Sequence, residues 1–438
     1  MAELTDFQIL QRDADGYARV DWTGTAPNPI PDDGSAVATR IVREDDGLAL
    51  TYWERCEMDG QNWTAHLTIP EGGLYRLEAA VHKPGTYPWI DRIACVFHIG
   101  VGDIYVTCGQ SNMTGYGRDS AYDPPMLGVH ALTNRGVWSV AAHPLSNAID
   151  GIYGCPENAT GTSPALSFAR RLHDRLGIPI GIVPAAVGGS PLSSWSPLED
   201  GGCYREMERR IEKIGSFRGY IWLQGCTDCS PELSKTYLER FSAMLDSWNK
   251  RFGKHPIITA QLNRNTNCGD VEKDRSWGRV RDAQRLAALT IDDVYLVPTT
   301  DLPVTDGIHN SSGANVMIGE RMANCALAEL YHKPGQTAAS ILSAEYADET
   351  HVLLRLTPGH HVFAMDDLAR GMNVEDADGI IDCDRVTVGD DTLTVSTSRP
   401  YKTPAKFHYA WRSEPPVFVL RDLYDMPLLS CYDVEITK

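Results

Sequence analysis

The sequence has no run of about 18 apolar residues, which is the length that a membrane-spanning helix needs. Its first residues, 1–7, lack a basic stretch followed by an apolar core, so they predict no secretory signal and a cytoplasmic location. Basic residues are also scarce, since 40 Lys and Arg stand against 58 Asp and Glu, a formal net charge of −18. That charge disfavours nucleic acids and anionic membrane surfaces as partners, because both would repel the protein.

Paired cysteine motifs are nearly absent. The eleven cysteines are scattered and odd in number, which suits a reducing compartment better than a disulfide framework. Cys226 and Cys229 form the one C-x-x-C spacing, and no second pair stands at a spacing suited to zinc. We therefore expect neither a metal nor a cofactor, and the oligomeric state is left open.

The chain of 438 residues is too long for one ordinary domain, and its first part, residues 1–100, is rich in strand signals. Short β-forming runs alternate with turn sequences such as Asp-Gly and Pro-Glu-Gly-Gly. The runs are Leu48–Trp53, Trp63–Ile69 and Leu74–Ala79. We predict a β-rich, sandwich-like N-terminal region.

From residue 101 to about 335, strand-like runs alternate with amphipathic stretches. Ser163 and Pro164 form a favourable N-cap and first-position pair for one of the helices. This alternation predicts a three-layer α/β/α domain, with helices on both faces of a five-stranded parallel sheet. The five predicted strands are Ile104–Cys108, Ile180–Pro184, Tyr220–Leu223, Ile257–Leu262 and Val294–Pro298.

Residues 336–438 return to a β pattern. Arg385–Ser396 reads as a hairpin with alternating apolar residues, and Val417–Leu420 adds a further predicted strand. We predict a second sandwich-like region. Because each flanking region has few strands of its own, the two could pack together as one sandwich.

Residues that carry chemistry collect at the ends of four predicted strands of the central domain, where open α/β sheets bind their ligands. Each of these segments taken alone is also typical of an ordinary turn or helix cap. Asp306 stands three residues before His309, a spacing at which the carboxylate can orient the imidazole. Together with Ser111, a serine at the facing strand end, this Asp–His pair favours nucleophilic catalysis. The remaining segments contain Ser111, Gly188 with Gly189, and Gln224.

These segments together resemble the successive motifs of the SGNH hydrolases. The more specific resemblance is to the sialate O-acetylesterase and acetylxylan esterase branch, which removes acetyl groups from sugars. Four motifs over residues 103 to about 330 carry it: Gly109-Gln-Ser111-Asn-Met, Gly188-Gly189-Ser190 with Trp195, Trp222-x-Gln224-Gly225, and Asp306-x-x-His309. Tyr409–Trp411 with Pro415 is similar to the end segment of that branch. Cys226 stands where the family usually has Glu, a difference that bears on sugar specificity rather than on the catalytic residues.

The resemblance implies a serine carbohydrate O-acetylesterase that acts on a small acetylated saccharide, such as sialic acid or a plant or bacterial glycan. Ser111 would be the nucleophile, His309 its base and Asp306 the residue that orients the base. Candidate oxyanion donors are the N–H groups of Ser111, Gly188 and Gly189 and the side chain of Gln224. Candidate substrate-binding residues are Gln110, Asn112, Trp195, Arg118 and Arg264, the two arginines for a substrate carboxylate if they are not simply surface residues. The alternatives are an SGNH lipase or thioesterase, or an inactive carbohydrate-binding scaffold.

Overall fold

The computed structural model describes residues 4–83, 85, 91–146, 152, 160–417 and 420–438. The N-terminal region forms seven strands: β1 (Ile9–Gln11), β2 (Tyr17–Thr25), β3 (Ala36–Arg43), β4 (Glu54–Arg55), β5 (Glu57–Asp59), β6 (Asn62–Pro70) and β7 (Gly72–His82). The central strands are β8 (Asp91–Gly109), β9 (Val129–Leu132), β10 (Trp138–Val140), β11 (Ile180–Pro184), β12 (Gly219–Leu223), β13 (Ile257–Ala260) and β14 (Val294–Val297). The helices are α1 (Ser111–Thr114), α2 (Pro164–Leu176), α3 (Leu192–Trp195), α4 (Gly202–Ile214), α5 (Tyr237–Phe252), α6 (Val271–Thr290) and α7 (Ser312–Glu329).

The central sheet has the strand order β10-β9-β11-β8-β12-β13-β14. The five strands predicted from the sequence are all present, and every pairing from β9 to β14 is parallel. The predicted number of five was wrong, because β9 adds a sixth parallel strand. Since β9 has only four residues and is followed by the antiparallel strand β10 rather than a helix, the strand–helix alternation does not reveal it.

Helices cover both faces of this sheet, as predicted. All residues of β11 and β12 are buried, which is the mark of strands enclosed on both sides. Phe168 of α2 and Ile318 of α7 pack on one face, and Phe241 of α5 packs on the other. The predicted cap of α2 is confirmed, since Ser163 Oγ accepts the N–H of Ala165 at 3.2 Å. None of the helices in the described ranges is long and apolar enough to cross a membrane.

Strand β8 joins the N-terminal region to the central sheet. It runs for 19 residues, pairing with β7 along its first half and with β11 and β12 along its second. The predicted domain boundary at residue 100 therefore falls inside a continuous strand. Strands β2, β6 and β5 form a separate antiparallel sheet. The predicted strand Leu48–Trp53 was wrong, because its apolar residues face solvent, with Tyr52 93 % exposed.

The C-terminal region is a closed barrel rather than the predicted sandwich. Its strands, in the order β15-β16-β19-β18-β17-β20-β21, are β15 (Ile341–Asp348), β16 (His351–Leu356), β17 (Met372–Asp376), β18 (Gly379–Gly389), β19 (Thr392–Thr397), β20 (Lys406–Tyr409) and β21 (Cys431–Thr437). The predicted hairpin within Arg385–Ser396 is confirmed by β18 and β19. Among the described strands, none before residue 83 pairs with the barrel. The predicted strand Val417–Leu420 lies partly outside the described residues.

Arg281 of α6 fastens the barrel to the central sheet. Its guanidinium group is fully buried, and burial lowers its pKa to about 9. All five of its N–H groups donate hydrogen bonds of 2.6–3.4 Å to main-chain carbonyls, those of Leu262, Asn263, Ala410, Arg412 and Ser413. The first two carbonyls follow β13 and the other three follow β20, so one side chain ties the two parts of the molecule together.

Candidate active site

Ser111 lies where the sequence predicts it, at the carboxyl end of the central strand β8. The strand ends at Gly109, whose φ is +123° and whose missing Cβ would lie 2.2 Å from the carbonyl oxygen of Leu223. Only glycine fits this close approach of two strand ends. Gln110 then donates its N–H to Leu223 O at 2.9 Å, and helix α1 begins at Ser111. The chain thus leaves the sheet abruptly and presents the hydroxyl group at its edge.

Asp306, His309 and Ser111 form a hydrogen-bonded row. His309 Nε2 lies 3.0 Å from Ser111 Oγ, and His309 Nδ1 lies 2.7 Å from Asp306 Oδ2. Burial acts to raise the pKa of Asp306, but hydrogen bonds from the His309 side chain and from the N–H groups of His309 and Ile308 outweigh it and lower that pKa. The carboxylate is therefore ionised and accepts the Nδ1 proton, which leaves Nε2 to accept the Ser111 hydroxyl proton.

A network of buried amide side chains holds the loop that carries His309. Asn112 donates to Ile308 O at 3.3 Å and accepts the N–H of Asn310 at 2.9 Å. Asn263 donates to Ile308 O at 2.7 Å and to Asn310 Oδ1 at 2.9 Å. Sequence reasoning missed Asn263 and Asn310. Asn263 stands three residues beyond β13, so the rule applied to the other strand ends would have found it.

The predicted oxyanion donors meet at the same edge, with one exception. Within the described chain the N–H of Ser111 has no hydrogen-bond partner. Gly188 and Gly189 form a turn whose first residue, Val187, donates to Gly109 O at 2.9 Å. The exception is Gln224, whose side-chain amide donates to Ser190 O at 3.2 Å and Asp228 Oδ2 at 2.6 Å. Both amide hydrogens are thus used to build the site.

Three predicted substrate-binding residues are buried supports. Gln110 is 3 % exposed and accepts the N–H of Gly225 at 3.0 Å. Asn112 and Trp195 are fully buried, and Trp195 donates to Ser190 Oγ at 2.9 Å. Polar or aromatic character near a motif does not distinguish a residue that meets solvent from one that supports the loop beneath.

Arg118 and Arg264 lie in different places. The ring of Tyr116 stacks on His309 with centroids 4.7 Å apart and planes at 27°, and the Arg118 guanidinium lies 5.2 Å from the Tyr116 ring centroid. Arg118 is exposed, so it stands at the approach to His309. Arg264 directly follows Asn263 but faces a cavity between the central domain and the barrel.

Two groups of side chains in the described residues are of the kinds that bind metal ions: Cys226 with Cys229, and a cluster in the barrel. Cys226 Sγ lies 3.6 Å from Asn263 Oδ1, and burial raises the pKa of Cys226 to about 12, so its thiol stays protonated. Glu375, His408 and Asp433 could offer ligand atoms within 4.8 Å of one another. Arg275 already binds the Glu375 carboxylate through two bonds, at 2.7 and 3.0 Å, so that carboxylate is neutralised within the protein.

Comparison with known proteins identifies the family. A family model described as "carbohydrate esterase, sialic acid-specific acetylesterase" matches residues 101–328, about half of the chain. The chain belongs to this family. The protein is accordingly a carboxylic ester hydrolase with a mixed α/β fold. None of the curated proteins matches the sequence.

The chain is similar to several solved structures, and one of them has the same fold over its whole length. A carbohydrate acetylesterase from Xanthomonas citri superposes with a TM-score of 0.69 at 20 % identity, covering 98 % of both chains. This match extends over the flanking regions as well as the central domain. A protein from Arabidopsis thaliana matches at 24 % identity and a TM-score of 0.45, over 52 % of this chain and 98 % of that one. A carbohydrate acetylesterase from Sinorhizobium meliloti matches at 15 % identity and a TM-score of 0.32, over 52 % and 99 %.

Proposed function

We propose that this carbohydrate esterase removes acetyl groups from sugar hydroxyls through a Ser111–His309–Asp306 triad. The observation that carries the proposal is the row of two hydrogen bonds, 3.0 Å from Ser111 Oγ to His309 Nε2 and 2.7 Å from His309 Nδ1 to Asp306 Oδ2. A serine activated by an oriented imidazole is the arrangement that acyl transfer requires.

The reaction proceeds in two steps. Ser111 Oγ forms a bond to the acetyl carbonyl carbon while its proton passes to His309 Nε2. The tetrahedral intermediate collapses when the bond to the sugar oxygen breaks, and that oxygen takes the proton from Nε2. Water then attacks acetyl-Ser111 while its proton passes to His309 Nε2. The bond between the acetyl carbon and Ser111 Oγ breaks, Oγ takes the proton back from Nε2, and acetate leaves. Asp306 holds the imidazole in one tautomer and stabilises its cationic form throughout.

The oxyanion of each intermediate needs donors that are already in place. We assign this role to the N–H of Ser111 and to the turn of Gly188 and Gly189, which a hydrogen bond from Val187 holds beside the end of β8. Gln224 acts indirectly, because its amide fixes Ser190 O at the end of that turn.

For the sugar, we propose that Arg118 meets a negatively charged group near the acetyl ester. It is exposed and lies over Tyr116, which stacks on His309. A guanidinium at this place suits an acidic sugar such as sialic acid, and acetylated plant or bacterial glycans are the other substrates to compare.

Acetate release by the wild-type protein and by Ser111→Ala tests the proposal. The substrates are 4-nitrophenyl acetate, acetylated sialic acids, acetylated xylo-oligosaccharides and acetylated pectin. Ser111→Ala should lose about 10³-fold or more of kcat, while Ser120→Ala, an exposed serine of the following loop, keeps the rate. A Ser111→Ala protein that retains its rate contradicts the assignment. Preference for long acyl chains over acetyl would favour a lipase or thioesterase instead.

A further inference from the structure

A cavity of about 590 Å³ lies between the central domain and the barrel, and we call it the seam cavity. Its volume falls in the range of small-molecule sites, which often lie between domains. Neither Ser111 nor His309 lines it. The residues used below are Arg264, Arg370, Asn373, Trp411 and Arg412.

One arginine of the lining lacks a close acceptor. Arg264 is 12 % exposed, its ion pair within the described residues is a 3.5 Å contact with Glu414, and its buried Nε has no hydrogen-bond partner among them. Arg412 is exposed and lies 5.5 Å from the Trp411 ring, and Arg370 pairs with Asp366. Because a guanidinium removed from water without a close acceptor is costly, Arg264 favours an anion in the cavity.

The carboxylates near the cavity match its three arginines in number. Asp382 accepts a hydrogen bond from Asn373 at 2.8 Å, Glu414 is about half exposed, and Asp366 pairs with Arg370. Arg264, the least exposed of the three arginines, is left with the 3.5 Å contact to Glu414. The position of Arg264 therefore suits a carboxylate ligand, which could bind closer than Glu414 does.

Other lining groups are already engaged within the protein. Trp411 is 2 % exposed and donates to Asn373 Oδ1 at 2.9 Å, and the Asn373 amide donates to Asp382 at 2.8 Å. The polar recognition therefore falls to Arg264. The cavity also connects with the active site through the backbone. Asn263, which holds Ile308 O beside His309, is the residue immediately before Arg264. Arg264 is thus joined through the backbone to the segment that supports His309.

We propose that the seam cavity binds a carboxylate-bearing sugar unit of the substrate, distinct from the unit that loses its acetyl group at Ser111. This proposal rests on the proposed function. The planar fork of Arg264 binds the carboxylate through two parallel hydrogen bonds, and Arg412 supplies further positive charge at the rim. The protein therefore prefers acetylated oligosaccharides that carry a uronic acid over neutral ones of equal length.

A binding measurement tests the cavity without any turnover. Ser111→Ala protein is titrated by isothermal calorimetry with a glucuronate-bearing xylo-oligosaccharide and with its neutral counterpart. The acidic sugar should bind about tenfold more tightly or better, since hydrogen bonds to charged groups are worth that factor. Adding Arg264→Gln should remove the difference, and Arg264→Lys should keep part of it. Arg385→Gln, an exposed barrel arginine paired with Asp367, is the matched control and should change nothing. Equal affinity for both sugars, or no effect of Arg264→Gln, overturns the proposal.

A kinetic measurement decides whether the bound carboxylate belongs to the substrate. The ratio of kcat/KM for acetylated acidic and neutral oligosaccharides should fall about tenfold in Arg264→Gln and stay constant in Arg385→Gln. If free glucuronate binds at Arg264 but this ratio does not change, the ligand is a separate acid and the substrate proposal is overturned. If wild-type protein releases acetate from no ester, the proposed function fails, and the calorimetry alone decides what the cavity binds.

Discussion

The side-chain amide of Asn263 donates a hydrogen bond of 2.7 Å to the main-chain carbonyl of Ile308, the residue before His309. This bond joins the segment after β13 to the loop after β14, and it is fully buried at Asn263. The position of His309 opposite Ser111 therefore depends on a side chain whose hydrogen bonds, among the described residues, go to Ile308, Asn310 and Cys226.

Asn263→Ala should lower kcat about tenfold with a smaller change in KM, because the buried carbonyl of Ile308 loses its better donor and the His309 loop shifts. Steady-state kinetics with one ester measures both quantities. Asn267→Ala removes a neighbouring but exposed bond to Asp306 O and should cost much less. Equal losses in the two variants would show that burial of Asn263 is unimportant.

Asp306→Asn should reduce kcat by about 10²- to 10⁴-fold and leave KM nearly unchanged, because an amide cannot enforce the same tautomer of His309. The lowered pKa of Asp306 has a further consequence. Its carboxylate stays ionised across the neutral range, so the profile of kcat above pH 5 contains no step from this residue. A kcat close to wild type in Asp306→Asn would remove Asp306 from the triad.

Arg281→Met should destabilise the protein by about 3 kcal/mol or more, because main-chain carbonyls on both sides of the seam lose their donor at once. We expect a lower denaturation midpoint together with a lower kcat, since Leu262 and Asn263 lie on the segment that supports His309. The control is Arg279→Met on the same helix, where the side chain pairs with Glu272 near the surface. A similar loss of stability and kcat in both variants would contradict the role of Arg281 in joining the barrel to the central sheet.

His130 should make stability depend on pH. It is fully buried on β9, with its Nδ1 2.7 Å from Phe7 O and its Nε2 3.3 Å from the N–H of Gly128. Burial lowers its pKa to about 4, so the folded protein keeps the ring neutral while the unfolded chain protonates it below pH 6.5. The contribution of the neutral His130 ring to the free energy of unfolding is complete above pH 6.5. It is lost as the pH falls towards 4, by up to about 3 kcal/mol.

Denaturant unfolding between pH 7 and pH 5 measures this dependence. His130→Gln should flatten the slope of unfolding free energy against pH, and His332→Gln, an exposed histidine, should leave it unchanged. A slope that is the same in His130→Gln and wild type would assign the pH dependence to other groups.

The strand ends that carry Ser111, Gly188 and His309 were predictable, because parallel strands in one sheet bring their carboxyl ends to one edge whatever the loops do. The roles of Gln224 and Trp195 were not. Both follow their motifs closely in sequence, but hydrogen bonds to Ser190 direct them inward. Which way a loop side chain turns depends on how the loop itself folds, and a motif in a single sequence does not specify that conformation.

In the flanking β regions, the sequence pattern predicted single hairpins but not how the strands assemble into a fold. Alternation in Arg385–Ser396 predicted the hairpin, since one face of each strand had to be buried. The same alternation serves a sandwich and a barrel equally well. Closure depends on β21 pairing in parallel with β15, a contact between strands about 90 residues apart that leaves no local pattern.

The continuous strand β8 makes the N-terminal region inseparable from catalysis. Ala94 pairs with β7 at one end of this strand, and Gly109 stands just before the nucleophile at the other. No hinge or linker interrupts the backbone between them, so opening the first sheet frays the strand that carries Ser111. Amide protons along β8 should exchange with solvent only in the global unfolding event. A shuffled gene that dropped the first hundred residues would therefore encode an esterase with half of its central strand missing.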